Sequence, residues 1–340
     1  MITVSLCMIV KNEEKVLKRC LDSIADLMDE IIIVDTGSCD ATKQIASAYT
    51  NQIYDFDWVG DFAAARNYAF SKANMEYIYS ADADEVLDEK NRQAFLQLKE
   101  TLLPEIDMVQ MYYANQLAYG TIYNYDKELR PKLFKRVRTF RWQGAIHEQV
   151  GLNPVIYDSD IEIIHMPENN HKDRDLAAFA RMSAEGVRLD KRLHNIYARE
   201  LFISGEKQDF LVARDFFRVS CKDEARSVDE IKEAACVAAR AARIAGDAED
   251  FLKYALKVTA CEGCAEICCE LGEFYLERKD IDEAILWFYN GAYETESILD
   301  IHSSGDVPLK GLARCYHELG NEEQAAAYEQ AASEWHVPET

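Results

Sequence analysis

Basic charge is scarce in this chain: Lys and Arg total 38 against 61 Asp and Glu, a formal net charge of -23. Such a surface repels nucleic-acid phosphate and anionic lipid headgroups, so neither is expected as the partner of the molecule as a whole. Long apolar runs are missing as well. The first ten residues, Met1 to Val10, are too short to span a bilayer, and Lys11, Glu13 and Glu14 follow them without a small-residue cleavage pattern. The expectation is a soluble cytoplasmic protein with no transmembrane segment. No secretory signal accompanies the ten cysteines, which are spread along the chain, so reduced thiols are the default. A second Cys-x-x-Cys pair is also absent, which weakens a zinc reading of Cys261, Cys264, Cys268 and Cys269. Their spacing puts the first three on one face of a helix, where they are expected to pack a core.

What is present is an ordinary globular composition, 340 residues with 49% hydrophobic content, enough for two domains. Thr3 to Val10 reads as a first strand, with a helix expected from Lys11 to about Met28 and a second strand at Ile31 to Val34. Ile53 to Phe56 reads as a third, short strand, and Met75 to Tyr79 as another. A helix is expected at Asn91 to Leu102, then strands at Met108 to Ala114, Lys132 to Arg136 and Ile161 to Ile164, with Thr121 to Tyr123 a further candidate. This alternation predicts an α/β domain with a mostly parallel sheet covered on both faces. Ligands of such sheets bind beyond the carboxyl ends of the strands, so the polar clusters at Lys11 to Glu14, Asp35 to Thr42 and Asp82 to Glu85 are expected to converge.

Asp82, Asp84 and Glu85 place three carboxylates in four positions directly after an apolar strand. Crowded carboxylates in a crevice call for a cation, and oxygen ligands of this type suit Mg²⁺ or Mn²⁺. The alternative is a solvated loop in which Asp84 or Asp88 caps the next helix. Arg66, near the start of a helix capped by Asp61, is placed either to pair with a diphosphate or to neutralise those same carboxylates. His147 and Glu148 follow Trp142 and Gly144. They read either as a general base beside a sugar platform or as solvent-facing residues on a strand edge. The tyrosines from Tyr112 to Tyr125 read as an acceptor platform or as strand packing.

From about Asp173 the pattern becomes helical and alanine-rich. Leu271-Gly272, Tyr275, Ala284, Phe288 and Ala292 recur as Leu312-Ala313, Tyr316, Gly320, Ala325, Tyr328 and Ala331. These spacings resemble tetratricopeptide repeats, with degenerate earlier units at Tyr197 to Phe217 and Ala234 to Leu256 and an insertion at Ser297 to Pro308. Such arrays offer concave surfaces to peptides or to a second subunit, as in a homodimer. The plainer alternative is a helical cap that only stabilises its neighbour. Domains are expected at 1–170 and 171–340.

Five stretches in order resemble family 2 glycosyltransferases of the GT-A fold: Cys7 to Glu14, Val34 to Thr42, Ala65-Arg66-Asn67, Ala81-Asp82-Ala83-Asp84-Glu85 and Gly144-Ala145-Ile146-His147-Glu148. The resemblance covers roughly residues 1–168, and with the helical repeats it is similar to the bacteriocin-peptide S-glycosyltransferases. It implies a nucleotide-sugar donor (UDP-glucose or UDP-GlcNAc), a divalent metal, and inversion at the anomeric carbon. By the same resemblance Glu13 and Asp35 hold the nucleoside and Arg66 lies near the diphosphate. Asp82 and Asp84 form the Asp-x-Asp motif, with Asp84 on the metal and Asp82 nearer the ribose. Many members carry a Glu-Asp pair as base; that pair is absent here, and Glu148, beside His147, occupies the corresponding stretch. His165 either completes the metal shell or is a strand-end histidine. The reading that follows is a metal-dependent transferase acting on a peptide or protein held by the repeats. Its alternatives are a transferase of cell-surface glycan or lipid-linked saccharide, and an inactive peptide-binding scaffold.

Overall fold

The run Val4–Val10 forms β1, and its side chains alternate between two buried layers. Leu6 and Met8 join a core with Leu17, Leu21, Tyr79 and Phe95, while Cys7 joins Ile32, Val34, Phe70 and Phe134 on the other side. A strand with apolar residues on both faces belongs inside a covered sheet. In this computed structural model, which describes residues 1–114, 127–151, 153–167 and 172–337, the chain forms two units, Met1–Asn170 and His171–Thr340.

The first unit holds an eight-stranded sheet. Its order is β3 (Ile53–Asp55), β2 (Glu30–Asp35), β1, β4 (Tyr77–Ala81), β7 (Glu128–Lys135), β6 (Met108–Ala114), β10 (Ile156–His165) and β5 (Glu85–Val86). Strands β3, β2, β1 and β4 run parallel, as do β6 and β10; β7 and β5 are antiparallel to their neighbours. Four helices, α1 (Leu17–Ile24), α2 (Thr42–Ala46), α3 (Phe62–Phe70) and α4 (Glu89–Thr101), belong to this unit, with a separate hairpin of β8 (Trp142–Gln143) and β9 (Gln149–Val150). This is the mostly parallel α/β arrangement expected from the sequence. The candidate strand Thr121 to Tyr123 lies outside the described residues.

One expectation fails at the first loop. Lys11 to Glu14 does not open a helix, because Asn12 turns into the left-handed region (φ 57) and the helix begins only at Leu17, ending in a 3-10 turn at Ala25–Leu27. The loop is instead stitched to the one after β2. Asn12 N–H donates to Ser38 Oγ (2.9 Å), Cys39 N–H to Asn12 Oδ1 (2.9 Å) and Glu13 N–H to Thr42 Oγ1 (2.7 Å). These side-chain bonds offer the backbone an alternative to helix. Asp61 and Asp88 do cap their helices, accepting from Ala64 N–H at 3.0 Å and Asn91 N–H at 2.9 Å. The cap of α4 is therefore Asp88, which leaves Asp84 for other work.

Nine helices make up the described part of the second unit: α5 (Lys172–Ala184), α6 (Lys191–Ser204), α7 (Lys207–Ser220), α8 (Val228–Ile244), α9 (Ala248–Thr259), α10 (Ala265–Glu277), α11 (Ile281–Tyr293), α12 (Asp306–Glu318) and α13 (Glu322–Glu334). Helices α8 and α9, α10 and α11, and α12 and α13 pack as successive pairs. Close approach is set by small residues. A Cβ on Gly272 or Gly311 would come within 2.7 and 2.5 Å of the buried Phe288 ring, so the ring is clasped between two glycines on different helices. The insertion is ordered by the buried carboxylate of Glu266, which accepts from the N–H groups of Ile298 (2.9 Å), Leu299 (2.6 Å) and Asp300 (3.0 Å).

The cysteine expectation needs one correction. Cys261 is exposed and precedes α10, so it does not share a helical face with Cys264 and Cys268, both of which are buried. Cys264 Sγ lies 3.5 Å from Cys236 Sγ, and Cys269 Sγ donates to Ser303 O (3.3 Å). These are packing contacts, in keeping with a core role. No described helix is long and apolar enough to cross a membrane.

Candidate active site

Strand β4 ends at Ala81, and the next three residues turn the chain into β5. Because β5 pairs antiparallel with the end of β10, His165 falls opposite Glu85, and Met166 N–H donates to Asp84 O at 2.9 Å. That pairing brings Asp84 Oδ2 to 3.2 Å from His165 Nε2. The second oxygen, Asp84 Oδ1, is buried with no hydrogen-bond partner. A buried carboxylate oxygen is costly to leave bare, so its position beside an imidazole nitrogen fits a hard divalent cation such as Mn²⁺ or Mg²⁺. Asp82 is turned the other way, toward Arg66.

Arg66 sits on the first turns of α3 and faces three acceptors. Its Nη2 donates to Asp82 Oδ1 at 2.8 Å, its Nη1 to Ser80 Oγ at 3.2 Å, and its Nε pairs with Glu148 Oε1. The guanidinium also lies 5.2 Å from the centre of the Trp142 ring. Against the burial that would raise it, Arg66 and Lys132 hold the Asp82 carboxyl well below the usual carboxylate range. Burial alone would lower Arg66, but Asp82 and Glu148 raise it further above its ordinary value.

Glu148 arrives from the turn between β8 and β9. Gly144 (φ 101) and His147 (φ 48) both take left-handed backbone there. The hairpin is clamped to α3 by Phe62 N–H to Ala145 O (3.0 Å) and by a reciprocal pair between Asn67 and the Trp142 backbone, both bonds at 2.9 Å. The Ala-Arg-Asn stretch and the Gly-Ala-Ile-His-Glu stretch, 82 positions apart at Arg66 and Glu148, are therefore one assembly. Asp35 closes β2, 1% exposed, with Oδ1 accepting from Gly37 N–H (3.0 Å) and Ser38 N–H (2.9 Å). Its Oδ2 is buried without a partner. Glu13 lies in the adjoining turn after β1. Asp82, Arg66 and Glu148 thus meet directly, Asp84 and His165 form a second pair beside them, and Asp35 and Glu13 mark the ends of neighbouring strands.

Sequence reasoning missed Lys132. This lysine of β7 pairs with Glu85 Oε1 and lies 3.4 Å from Ser80 O, with side chains 7% and 2% exposed. Burial raises the Glu85 carboxyl to about 7, with the Lys132 ammonium opposing the rise. The available signal was weak, because Lys132 is one of several basic residues in the stretch Arg130 to Arg138 and nothing local marks it as the buried one. Tyr113, one of the tyrosines singled out from the sequence, has its ring centre 5.0 Å from that of His165 and 3.9 Å from the Arg130 guanidinium. Tyr112 and Tyr113 belong to β6; the acceptor-platform reading of Tyr119, Tyr123 and Tyr125 lies outside the described residues.

Residues 5–163 match the family model described as glycosyl transferase family 2. A TPR repeat-containing protein of Synechococcus elongatus is 35% identical over 162 residues, covering 44% of this chain and 36% of that protein. The SPbeta prophage-derived glycosyltransferase SunS of Bacillus subtilis is 30% identical over 151 residues, covering 43% of this chain and 34% of its own. The chain thus aligns with little more than a third of these relatives. Among solved structures, glucosyl-3-phosphoglycerate synthase of Mycobacterium tuberculosis, in complex with Mn²⁺ and UDP-glucose, is similar with a TM-score of 0.42 at 14% identity, covering 56% of this chain and 81% of that one.

Proposed function

We propose, from the premise that residues 5–163 are a family 2 glycosyltransferase domain, that this protein moves a sugar from a nucleotide-sugar donor to a peptide or protein acceptor with inversion. The observation that carries the proposal is the division of labour among three carboxylates. Asp84 presents a bare buried oxygen beside His165, while Arg66 ties Asp82 to Glu148.

Asp35 and Glu13 hold the nucleoside of a UDP-sugar, glucose or N-acetylglucosamine, and Asp82 lies on the ribose side. Asp84 and His165 would hold the divalent ion, Mn²⁺ or Mg²⁺, and Asp82, now turned toward Arg66, would be the further carboxylate available to it. Bound there, the cation supplies charge stabilisation for the diphosphate oxygen as the glycosidic bond breaks. Arg66 faces the same diphosphate and fixes Glu148 by one oxygen. Glu148, with His147 next to it, takes the acceptor proton, and attack from the face opposite the diphosphate inverts the anomeric carbon. The helical unit 171–340 recruits the acceptor or a second copy of the chain. Support for a peptide acceptor is the resemblance to the bacteriocin-peptide S-glycosyltransferases and the paired helices of the second unit. Ten free thiols accord with the cytoplasm.

Incubating the protein with a panel of UDP-sugars and Mn²⁺ tests the reading. UDP release that depends on Mn²⁺ and is abolished in Asp84→Ala is expected. No UDP from any donor, together with no Mn²⁺-dependent nucleotide binding, overturns it.

A further inference from the structure

Glu85 poses a problem for any cation held by Asp84 and His165. It follows Asp84 directly in the chain, it lies opposite His165 in the β5–β10 pairing, and it is almost wholly buried. One of its oxygens, Oε2, has no hydrogen-bond partner. An ionised carboxylate in such a place is a natural ligand for a divalent ion, because it would satisfy that oxygen and add charge to the shell. The partner of its other oxygen is the Lys132 ammonium, which β7 carries across from beside β4 to reach both Glu85 Oε1 and, at 3.4 Å, Ser80 O.

We propose that Lys132 is a positioning residue that keeps Glu85 out of the metal shell. The inference rests on the metal-dependent reading above. A site with Asp84 as its charged ligand leaves the cation with net positive charge and open positions for two diphosphate oxygens. A second carboxylate would bind the free ion more tightly, lower its residual charge, and take a position the diphosphate needs. Lys132 prevents this by supplying Glu85 with a counter-charge of its own. The nearby Ser80 carbonyl lies on β4 two residues before Asp82, so the same ammonium steadies the strand end from which both aspartates project. Its role is distinct from that of Arg66, which engages Asp82 and Glu148.

The test measures Mn²⁺ affinity directly, by electron paramagnetic resonance of the free ion, in the full chain without donor. Lys132→Met is expected to bind Mn²⁺ at least about fivefold more tightly than the unmodified protein, while its Mn²⁺-dependent affinity for UDP falls by a similar factor. Adding Glu85→Gln to Lys132→Met returns Mn²⁺ affinity to the starting value, and Lys132→Arg leaves it unchanged. Weaker Mn²⁺ binding in Lys132→Met, unrelieved by Glu85→Gln, means the lysine serves folding alone and overturns the proposal. Should Lys132→Met fail to fold, Glu85→Gln in the otherwise unmodified chain decides. Unchanged Mn²⁺ affinity is expected, and a loss comparable to that of Asp84→Asn shows that Glu85 is already a ligand and refutes the lock. Absence of Mn²⁺ binding by the unmodified protein is a different failure, because it removes the metal-dependent reading itself.

Discussion

Arg66→Met removes one cation from three acceptors at once. Its side chain is 14% exposed, and the Glu148 carboxylate it leaves behind is 11% exposed, so that charge cannot be rehydrated without opening the β8–β9 turn. Asp82 is 38% exposed and recovers part of its hydration, so its share is screened. Breaking a buried ion pair by deleting one partner costs about 3–5 kcal/mol, and with one of the two carboxylates partly wet the expected loss is about 2–4 kcal/mol. For a unit of this size that is a fall of roughly 5–15 °C in the first-unit transition. Differential scanning calorimetry of the full chain is the assay, since two units need not melt together. Adding Glu148→Gln to Arg66→Met removes the stranded charge and is expected to recover most of the lost stability without recovering sugar transfer. Arg66→Lys, with a compact ammonium in place of the fork, cannot span the three acceptors and is expected to fall between. An Arg66→Met protein that melts with the unmodified one would show that the bridge contributes nothing and would refute the reasoning.

The same bridge gives a pH signature. Asp82 titrates below its unfolded range, so its contribution is fully present above about pH 4 and is lost as pH falls through the lowered folded value. The stability gap between the unmodified chain and Arg66→Met is therefore expected to narrow on acidification below pH 4, read by circular dichroism; a gap that widens there contradicts the sign. In the second unit, Gly311→Ala places a methyl 2.5 Å from the Phe288 ring, and overpacking of about 1–3 kcal/mol outweighs the helix gain of about 1 kcal/mol. A net loss of up to about 2 kcal/mol by urea denaturation is expected, partly relieved by Phe288→Leu. Cys264→Ser is expected to leave Mn²⁺-dependent UDP release within about twofold of the unmodified rate, because the thiol packs on Cys236 within the helical unit.

Much of the site was legible because its residues are clustered at strand ends. The Asp-x-Asp stretch and Asp35 follow apolar runs that stop abruptly in polar residues, and the Asp61 cap stands directly before a helical run, patterns local to a few positions. The first loop was misread as helix because Lys11 to Glu14 has no Gly or Pro to break it; the break comes from bonds to Ser38, Cys39 and Thr42. Those partners are brought near only once β1 and β2 pair in parallel.

The alternation of apolar and polar residues in this chain determined which segments become strands or helices and where the carboxylates end up along them. Periodicity and capping act within a few residues, so the local order of residues suffices. Which carboxylate serves which purpose was decided by tertiary structure. Arg66 chose Asp82 and Glu148, Lys132 chose Glu85, and Asp84 was left beside His165 with a bare oxygen. Each of these pairings joins residues 16 to 82 positions apart, and charge pairing depends on distance in space, which the order of residues does not set until the sheet has formed.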